Sequence, residues 1–380
     1  MKKILYGIGI MTGTSCDAVD ISYVEFNEES LLKISLVDFF SIKLTNEYSN
    51  KVKEIIENKI SIQEISQFNF YYSKMIVDAV MEFISKKQIN YSEVDFVAVH
   101  GQTLWHNPIP TNFLGKEIIS TYQAVNLSFL AKYLEKPVIG DFRSGDIAFG
   151  GQGAPLVPIF DSFFFKSKDK TTICLNLGGI ANMTVIPFDK SVSEIIAYDI
   201  GPANTLIDLV SSKYFGIQFD KNGDLASQGA IDKKLLAIML DDEYFKLLPP
   251  KSTGREKFNA KFIENSLQKL NYLVKPIDLL RTVTELTATT IANAINDLQL
   301  NSARLVISGG GKNNKLLISS LLQKLSNVEV KNIEDYGISS EAKESVAFAY
   351  LGWLFLKMQN GNLPSVTGAT KSTILGTLAI

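Results

Sequence analysis

Cysteine and histidine are scarce in this 380-residue chain, with two of each: Cys16, Cys174, His100 and His106. The cysteines stand far apart and have no partner at metal-ligand spacing. Neither a disulfide framework nor a structural zinc site is therefore expected, and the usage suits a reducing cytosol. An excess of charge is also lacking, with 38 Lys and Arg against 40 Asp and Glu. That balance offers no general attraction to nucleic acid or to an anionic membrane, so neither is expected as a partner. No apolar run reaches the roughly 18 residues of a membrane-spanning helix. The basic start Met1-Lys2-Lys3 leads into apolar residues, but the polar stretch 12–20 interrupts them before a secretory hydrophobic region can develop. A cytoplasmic protein is the expectation. Hydrophobic residues, by contrast, make up 46% of a chain longer than one core usually serves. Two α/β domains with a ligand cleft between them follow.

Residues 4–11 are apolar, 12–15 are too small and hydroxylated to fill a core, and Val19, Ile21 and Tyr23 alternate with Asp20 and Ser22. The pattern predicts a β-hairpin whose tip holds Gly13, Thr14 and Ser15. Backbone N–H groups in such a turn favour anionic oxygens, and the hydroxyls add donors that no core requires. The tip reads as a phosphate grip, with an ordinary tight hairpin as the plain alternative. Neither of the two common nucleotide motifs is present. Residues 172–185 repeat the design, with an apolar strand, a turn at Gly178 and Gly179, and a second apolar strand. A structural duplication is expected, in which two turns hold a triphosphate between them.

Between these hairpins, residues 46–87 carry helical spacing through Val52, Ile55, Phe68, Tyr72, Ile76, Val80 and Phe83. A short strand, 96–99, ends on His100, Gln102 and Thr103, and polar residues at the end of a buried strand often face a ligand. His100 is a better candidate than His106, though each fits a hydrogen-bonded structural role equally well. A strand over 136–141 ends on Asp141, and a glycine-rich connection follows with Arg143, Asp146 and Gln152. A domain boundary is placed there: 1–140, rejoined by the tail 366–380, and 141–365. A further short strand ends on Asp199, ahead of Pro202, Asn204 and a helix over 205–215. A rigid strand end suits a catalytic carboxylate, and an acid at a helix start is the alternative. Residues 249–256 are either a substrate clamp or a surface loop. After an amphipathic helix, 279–298, the strand 303–307 runs into Gly309, Gly310 and Gly311, where missing side chains leave room for a flat nucleobase. Glu344 opens an apolar helix, 345–358, as a favourable charge at its positive end.

This layout resembles the superfamily of acetate and sugar kinases, actin and chaperone ATPases. More closely, the blocks around 11–20, 100–103, 141–158, 176–179, 199–202, 250–256 and 308–311 resemble the anhydro-N-acetylmuramic acid kinases, in the family's order and over nearly the whole chain. Thr12, Ala18, Ala203 and the run 122–127 depart from the family's pattern. The resemblance implies a two-domain actin-like ATPase fold, ribonuclease H-like and duplicated, with ATP in an interdomain cleft. It implies an ATP- and Mg²⁺-dependent phosphotransferase with an alcohol acceptor, a homodimer acting in peptidoglycan recycling. It assigns Asp199 as the base that activates water. It gives Gly13, Thr14, Ser15, Cys16, Asp17, Ala18, Val19, Asp20, Gly178, Gly179, Gly309, Gly310, Gly311 and Asn313 to ATP, with Asp17 reaching the metal through water. The sugar falls to His100, Gln102, Thr103, Asp141, Arg143, Gln152 and Asn204. Two rivals remain at this point: a kinase of the same fold for another sugar or carboxylic acid, and a non-catalytic nucleotide-gated binding protein.

Overall fold

A computed structural model describes residues 3–29 and 31–380; Met1 and Lys2 of the basic start lie outside them. The chain divides into two compact units, Met1–Phe164 with Gly337–Ile380, and Phe165–Tyr336.

The first unit is built on β1 (Ile4–Thr12), β2 (Ala18–Asn27), β3 (Lys33–Lys43), β4 (Val94–Phe113), β5 (Lys116–Ala124) and β6 (Val138–Gly140). The second contains β7 (Thr171–Leu177), β8 (Ile180–Ile186), β9 (Ile196–Pro202), β10 (Ala303–Ser308) and β11 (Val328–Asn332). A last strand, β12 (Thr377–Ala379), returns to the first unit and pairs antiparallel with β6. Among the described residues the sheet orders are β12-β6-β4-β1-β2-β3, with β5 on β4, and β11-β10-β7-β8-β9. In each unit the first three strands form an antiparallel meander, and the fourth runs parallel to the first. The fifth sheet position is parallel to the fourth strand in both. Strand for strand, β6-β4-β1-β2-β3 matches β11-β10-β7-β8-β9. This is the ribonuclease H-like order in duplicate, and the fold is that of a two-domain actin-like ATPase.

The periodic residues of the first unit do what their spacing predicts. Val52, Ile55, Phe68, Tyr72, Ile76, Val80 and Phe83, on helices Asn46–Ile56 and Ile62–Lys87, pack with Ile8, Ile10, Val19 and Ile21 in one core. Ser61 and Glu64 close a reciprocal capping box at the second helix's start, which fixes where it begins. Helix Lys343–Leu356 belongs to this unit and lies so close to β1 that a Cβ on Gly9 would stand 2.0 Å from the Ser345 carbonyl oxygen. In the second unit, helix Pro276–Asn296 sends Ala288, Ile291 and Ile295 onto Ile173, Leu175 and Leu305.

The units divide after Phe164 and Tyr336, whereas the glycines suggested 140 and the tail 366. The glycine-rich connection stays with the first unit because Asp146 fastens it. Its Oδ1 accepts from Asn362 Nδ2 at 2.7 Å and Thr367 Oγ1 at 2.6 Å, and its Oδ2 from the Gly153 N–H at 2.8 Å. Asp146 is fully buried there, so it is a structural knot instead of a ligand-facing acid. Nor does β4 stop at His100. It continues to Phe113 and folds back through Gly115 into β5 as a two-stranded arm. Pro108 and Pro110 disguise the arm in the sequence, and they sit inside the register shift between Asn107 and Thr111, where no ladder bond is lost.

Candidate active site

The first turn is held from behind. The Cys16 N–H donates to the Gly13 carbonyl at 3.2 Å, and Cys16 takes a left-handed φ of 55°. Ser49 Oγ donates to the Cys16 carbonyl at 2.7 Å, and Thr12 Oγ1 hydrogen-bonds Tyr72 Oη at 2.8 Å. Thr14, Ser15 and Asp17 are exposed at the tip, with Gly13 and Ala18 half-buried. These are the positions from which polar atoms can reach phosphate. The Cys16 and Val19 side chains are buried in the core, which leaves their backbone as the part that could serve ATP. Gln102 is corrected. It is fully buried, its Oε1 accepts from Tyr48 Oη at 2.9 Å, and its Nε2 donates to the Gly13 carbonyl at 3.4 Å. It supports the turn and has no face for a sugar.

Asp17 Oδ1 accepts from Ser15 Oγ at 2.6 Å and from the Ala18 N–H at 3.1 Å. Asp20 accepts from Ser41 Oγ at 2.6 Å. Burial pushes the Asp20 carboxyl up against that hydrogen bond, with Asp17 and Glu341 adding like charge. Among the described residues no group of three or more His, Cys, Asp or Glu is placed to hold a metal. One carboxylate fits a Mg²⁺ ion carried mainly by nucleotide phosphates and water, as such ions commonly are.

His100 is buried and engaged. Arg143 donates from Nε at 3.1 Å and from an Nη at 2.8 Å to His100 Nε2, so the ring is neutral with its proton on Nδ1, which meets the Gly101 carbonyl at 2.8 Å. Burial, then the Arg143 charge, hold the imidazole well below its ordinary value. Arg143 also donates to the Gly153 carbonyl at 2.8 Å. His100 thus aims Arg143, and of the pair Arg143 is the one with donors to spare. Asp141 and Gln152 are exposed, and Asp141 (φ 52°) accepts from Ser144 Oγ at 2.6 Å. Thr103 is half-buried, and its Oγ1 accepts from Gln123 Nε2 at 3.4 Å. Glu344 lies within electrostatic range of Lys343, Asp20 and Arg143.

In the second unit, helix Asn204–Phe215 begins against the Gly178, Gly179 turn. The N–H groups of Ala203 and Thr205 donate to the Gly179 carbonyl, and the Asn204 N–H to that of Gly178. Asn204 Nδ2 bonds the Leu177 and Gly178 carbonyls at 3.1 and 2.8 Å. Asn204 therefore shapes the turn through its Nδ2. The three glycines after β10 also separate. A Cβ on Gly309 or Gly311 would come within 2.8 Å of β7 atoms, whereas Gly310 faces open space. Gly310 and the exposed Asn313 are free to meet a ligand, and the outer two glycines serve packing.

Asp199 sits mid-strand in β9, which runs on through Pro202. The register slips between Ala181–Gly201 and Asn182–Asp199, leaving Ile200 unopposed. This is a β-bulge beside Asp199, a device that re-aims a side chain. Asp199 Oδ2 accepts the Thr253 N–H at 3.0 Å, and no hydrogen bond to Oδ1 occurs among the described residues. Burial pushes this carboxyl up, opposed by the Thr253 bond and aided by Glu256. A half-buried carboxylate with one oxygen tied and a raised affinity for protons is suited to general-base work. Arg255, which spacing did not single out, has its Nε 3.5 Å from where a Gly179 Cβ would stand.

A family profile described as "Anhydro-N-acetylmuramic acid kinase" matches residues 5–380. Relatives bearing that description include one from Caldanaerobacter subterraneus subsp. tengcongensis, 34% identical over 98% of this chain and 96% of its own. Another, from Clostridioides difficile, is 35% identical over 98% of both. A solved ROK family glucokinase from Streptomyces griseus, in complex with glucose and AMPPNP, has 12% identity and a TM-score of 0.38 over 91% of this chain and 98% of that one. That likeness is too distant to add to the strand orders. Strand order, two turns, a bulged acid and a match over nearly the whole length agree: the chain belongs to the anhydro-N-acetylmuramic acid kinase family.

Proposed function

We propose that this protein is the ATP-dependent kinase that opens 1,6-anhydro-N-acetylmuramic acid with water and phosphorylates O6, giving N-acetylmuramic acid 6-phosphate and ADP in peptidoglycan recycling. Water adds its oxygen to C1 and gives a proton to Asp199. The C1–O6 bond breaks, O6 takes the γ-phosphoryl group, and the bond from Pγ to the β,γ-bridging oxygen breaks as ADP leaves. Glycosidic hydrolysis by inversion normally uses a second carboxyl group to protonate the leaving oxygen. Here phosphoryl transfer captures that oxygen, so one base is enough. The observation that carries this reading is Asp199 beside its bulge, with Oδ2 tied and Oδ1 available.

The donors of Gly13, Thr14 and Ser15 align and neutralise the phosphates, where positioning and charge do most of the work. Mg²⁺ would supply further neutralisation of the phosphates, and Asp17 is the residue that would hold it. Arg143, aimed by His100, and the exposed Asp141 and Gln152 recognise the sugar. The working form is a cytoplasmic homodimer. The decisive experiment supplies ATP, Mg²⁺ and the anhydro-sugar in ¹⁸O water. Label is expected at the anomeric position of the 6-phosphorylated product, with Asp199→Asn losing roughly a thousandfold or more in kcat while retaining its fold. Unlabelled product, or a variant of normal rate, overturns the mechanism. Turnover of a different acceptor in place of this one would favour a kinase of the same fold with another specificity.

A further inference from the structure

We infer that Lys251 and Tyr244 are positioning residues that hold Asp199, through a strap of chain, with Oδ1 as the oxygen that takes the proton. This rests on the assignment of Asp199 as the base. β9 ends its sheet, so among the described residues its outer backbone groups have no strand to pair with. Residues 251–253 cover them. The Asp199 N–H donates to the Lys251 carbonyl at 3.1 Å, and the Thr253 N–H returns to Asp199 Oδ2 at 3.0 Å. Tyr244 Oη donates to the Asp199 carbonyl at 2.7 Å. The ring closes because Lys251 Nζ donates to the Tyr244 carbonyl at 3.2 Å and stands 4.8 Å from the Tyr244 ring centre.

Each member of this ring has a physical reason for its place. Tyr244 is buried on the short helix Glu243–Lys246, edge-on to Phe258, so its hydroxyl is delivered by a rigid aromatic cluster. A lysine ammonium is attracted to the faces of tyrosine rings, and Lys251 lies near two, Tyr244 and Tyr198. The cation thereby anchors the strap without forming an ion pair to the base, which would lower its proton affinity. The charged groups round the ring are Glu256 beyond the strap, which adds like charge to Asp199, and Asp297, which acts on Lys251. Asn182, opposite Asp199 on β8, is neutral. Neither Lys251 nor Tyr244 bonds the Asp199 carboxylate directly; they act by keeping the Thr253 N–H on one oxygen.

The test compares kcat, KM for ATP and the pH dependence of kcat for the full-length enzyme and for Tyr244→Phe, Lys251→Met, Lys251→Arg and Asp199→Asn. Tyr244→Phe and Lys251→Met are expected to lower kcat roughly 10- to 100-fold, as misplacing a catalytic group does. KM for ATP should stay within about twofold, because the phosphate turns are untouched. The acid limb of the profile should move to higher pH, since a loosened strap withdraws the Thr253 bond from the ionised carboxylate. Lys251→Arg, which keeps the cation and a donor, should recover most of the rate. Lowered thermal stability with an unmoved acid limb would make the ring merely structural and overturn the inference. So would normal kcat in both Tyr244→Phe and Lys251→Met while Asp199→Asn is inactive. A normal rate in Asp199→Asn would instead remove the base assignment itself, and the strap's role with it.

Discussion

The turn at residues 13–17 and the turn at Gly178 and Gly179 occupy the same place in the two sheets, between first and second strands, yet different chemistry fastens them. Side chains hold the first: Gln102 on the Gly13 carbonyl, Ser49 on that of Cys16, Tyr72 on Thr12. The second is held from one helix start, by the N–H groups of 203–205 together with Asn204 Nδ2 and Thr205 Oγ1. The first N–H groups of any helix lack an intrahelical partner, and here the turn satisfies them. Duplication has therefore kept topology and let the support diverge. At Gly13 and at Gly178 a Cβ would meet nothing nearer than 3.5 Å, whereas at Gly179 it would stand 2.9 Å from Thr205 Oγ1.

Glycine packing around the two turns gives the largest expected effect, first at Gly309, which follows β10 and packs on the end of β7 that leads into the second turn. Gly309→Ala puts a Cβ 2.6 Å from Asn176 Oδ1, at a φ of 84°, and is expected to lose about 3 kcal/mol of stability by chemical denaturation. Gly13→Ala meets nothing nearer than Ser15 Oγ at 3.5 Å and should lose less than about 0.5 kcal/mol. Equal losses would erase the distinction.

The supporting side chains sharpen it next. Gln102→Leu leaves the buried Tyr48 hydroxyl without its acceptor and should cost about 2 kcal/mol, with a raised KM for ATP. Asn204→Ala removes bonds to two carbonyls, of which that of Gly178 keeps the backbone N–H of residue 204 as a donor, and about 1 kcal/mol is expected. The reverse ranking in melting experiments would mean that the first turn does not depend on Gln102.

The smallest effect is a pH dependence. His100 is held neutral in the folded state, well below its unfolded value near 6.5. Its contribution is fully present above that value and is lost as pH falls through the window beneath it, by at most about 1.4 kcal/mol per pH unit. His100→Gln should flatten the stability profile between about pH 6.5 and 5.5 relative to the parent protein. Parallel profiles would show that the ring titrates freely and does not aim Arg143.

Much of this was legible in the chain. Both hairpins announce themselves by an apolar strand, a small polar tip and a second apolar strand. The helix faces of the first unit announce themselves by three- and four-residue recurrence through Val52, Phe68, Tyr72 and Phe83. Those signals are local, and each element answers to its own residues. The arm of β4 and β5 was not legible, because Pro108 and Pro110 read as breakers until the register shift that accommodates them is seen. Nor was the bulge at Ile200, since an unopposed residue depends on what β8 offers opposite it. Gln102 looked like a ligand contact because a polar residue at a strand's polar stretch carries no mark of which way it faces.

By itself the sequence determined the repeated strand-turn-strand units, the packing faces of the helices and the family, through blocks whose order survives over the whole chain. Only tertiary structure decided which polar residues are occupied and which are available. Gln102, His100 and Asp146 are consumed holding a turn, an arginine and a connection, while Asp199 keeps one oxygen open. The reason is that a buried polar group must find a partner, and the partner is supplied by whichever distant segment the fold brings there. For Asp199 those segments are a short aromatic helix and a strap some fifty residues downstream in the chain.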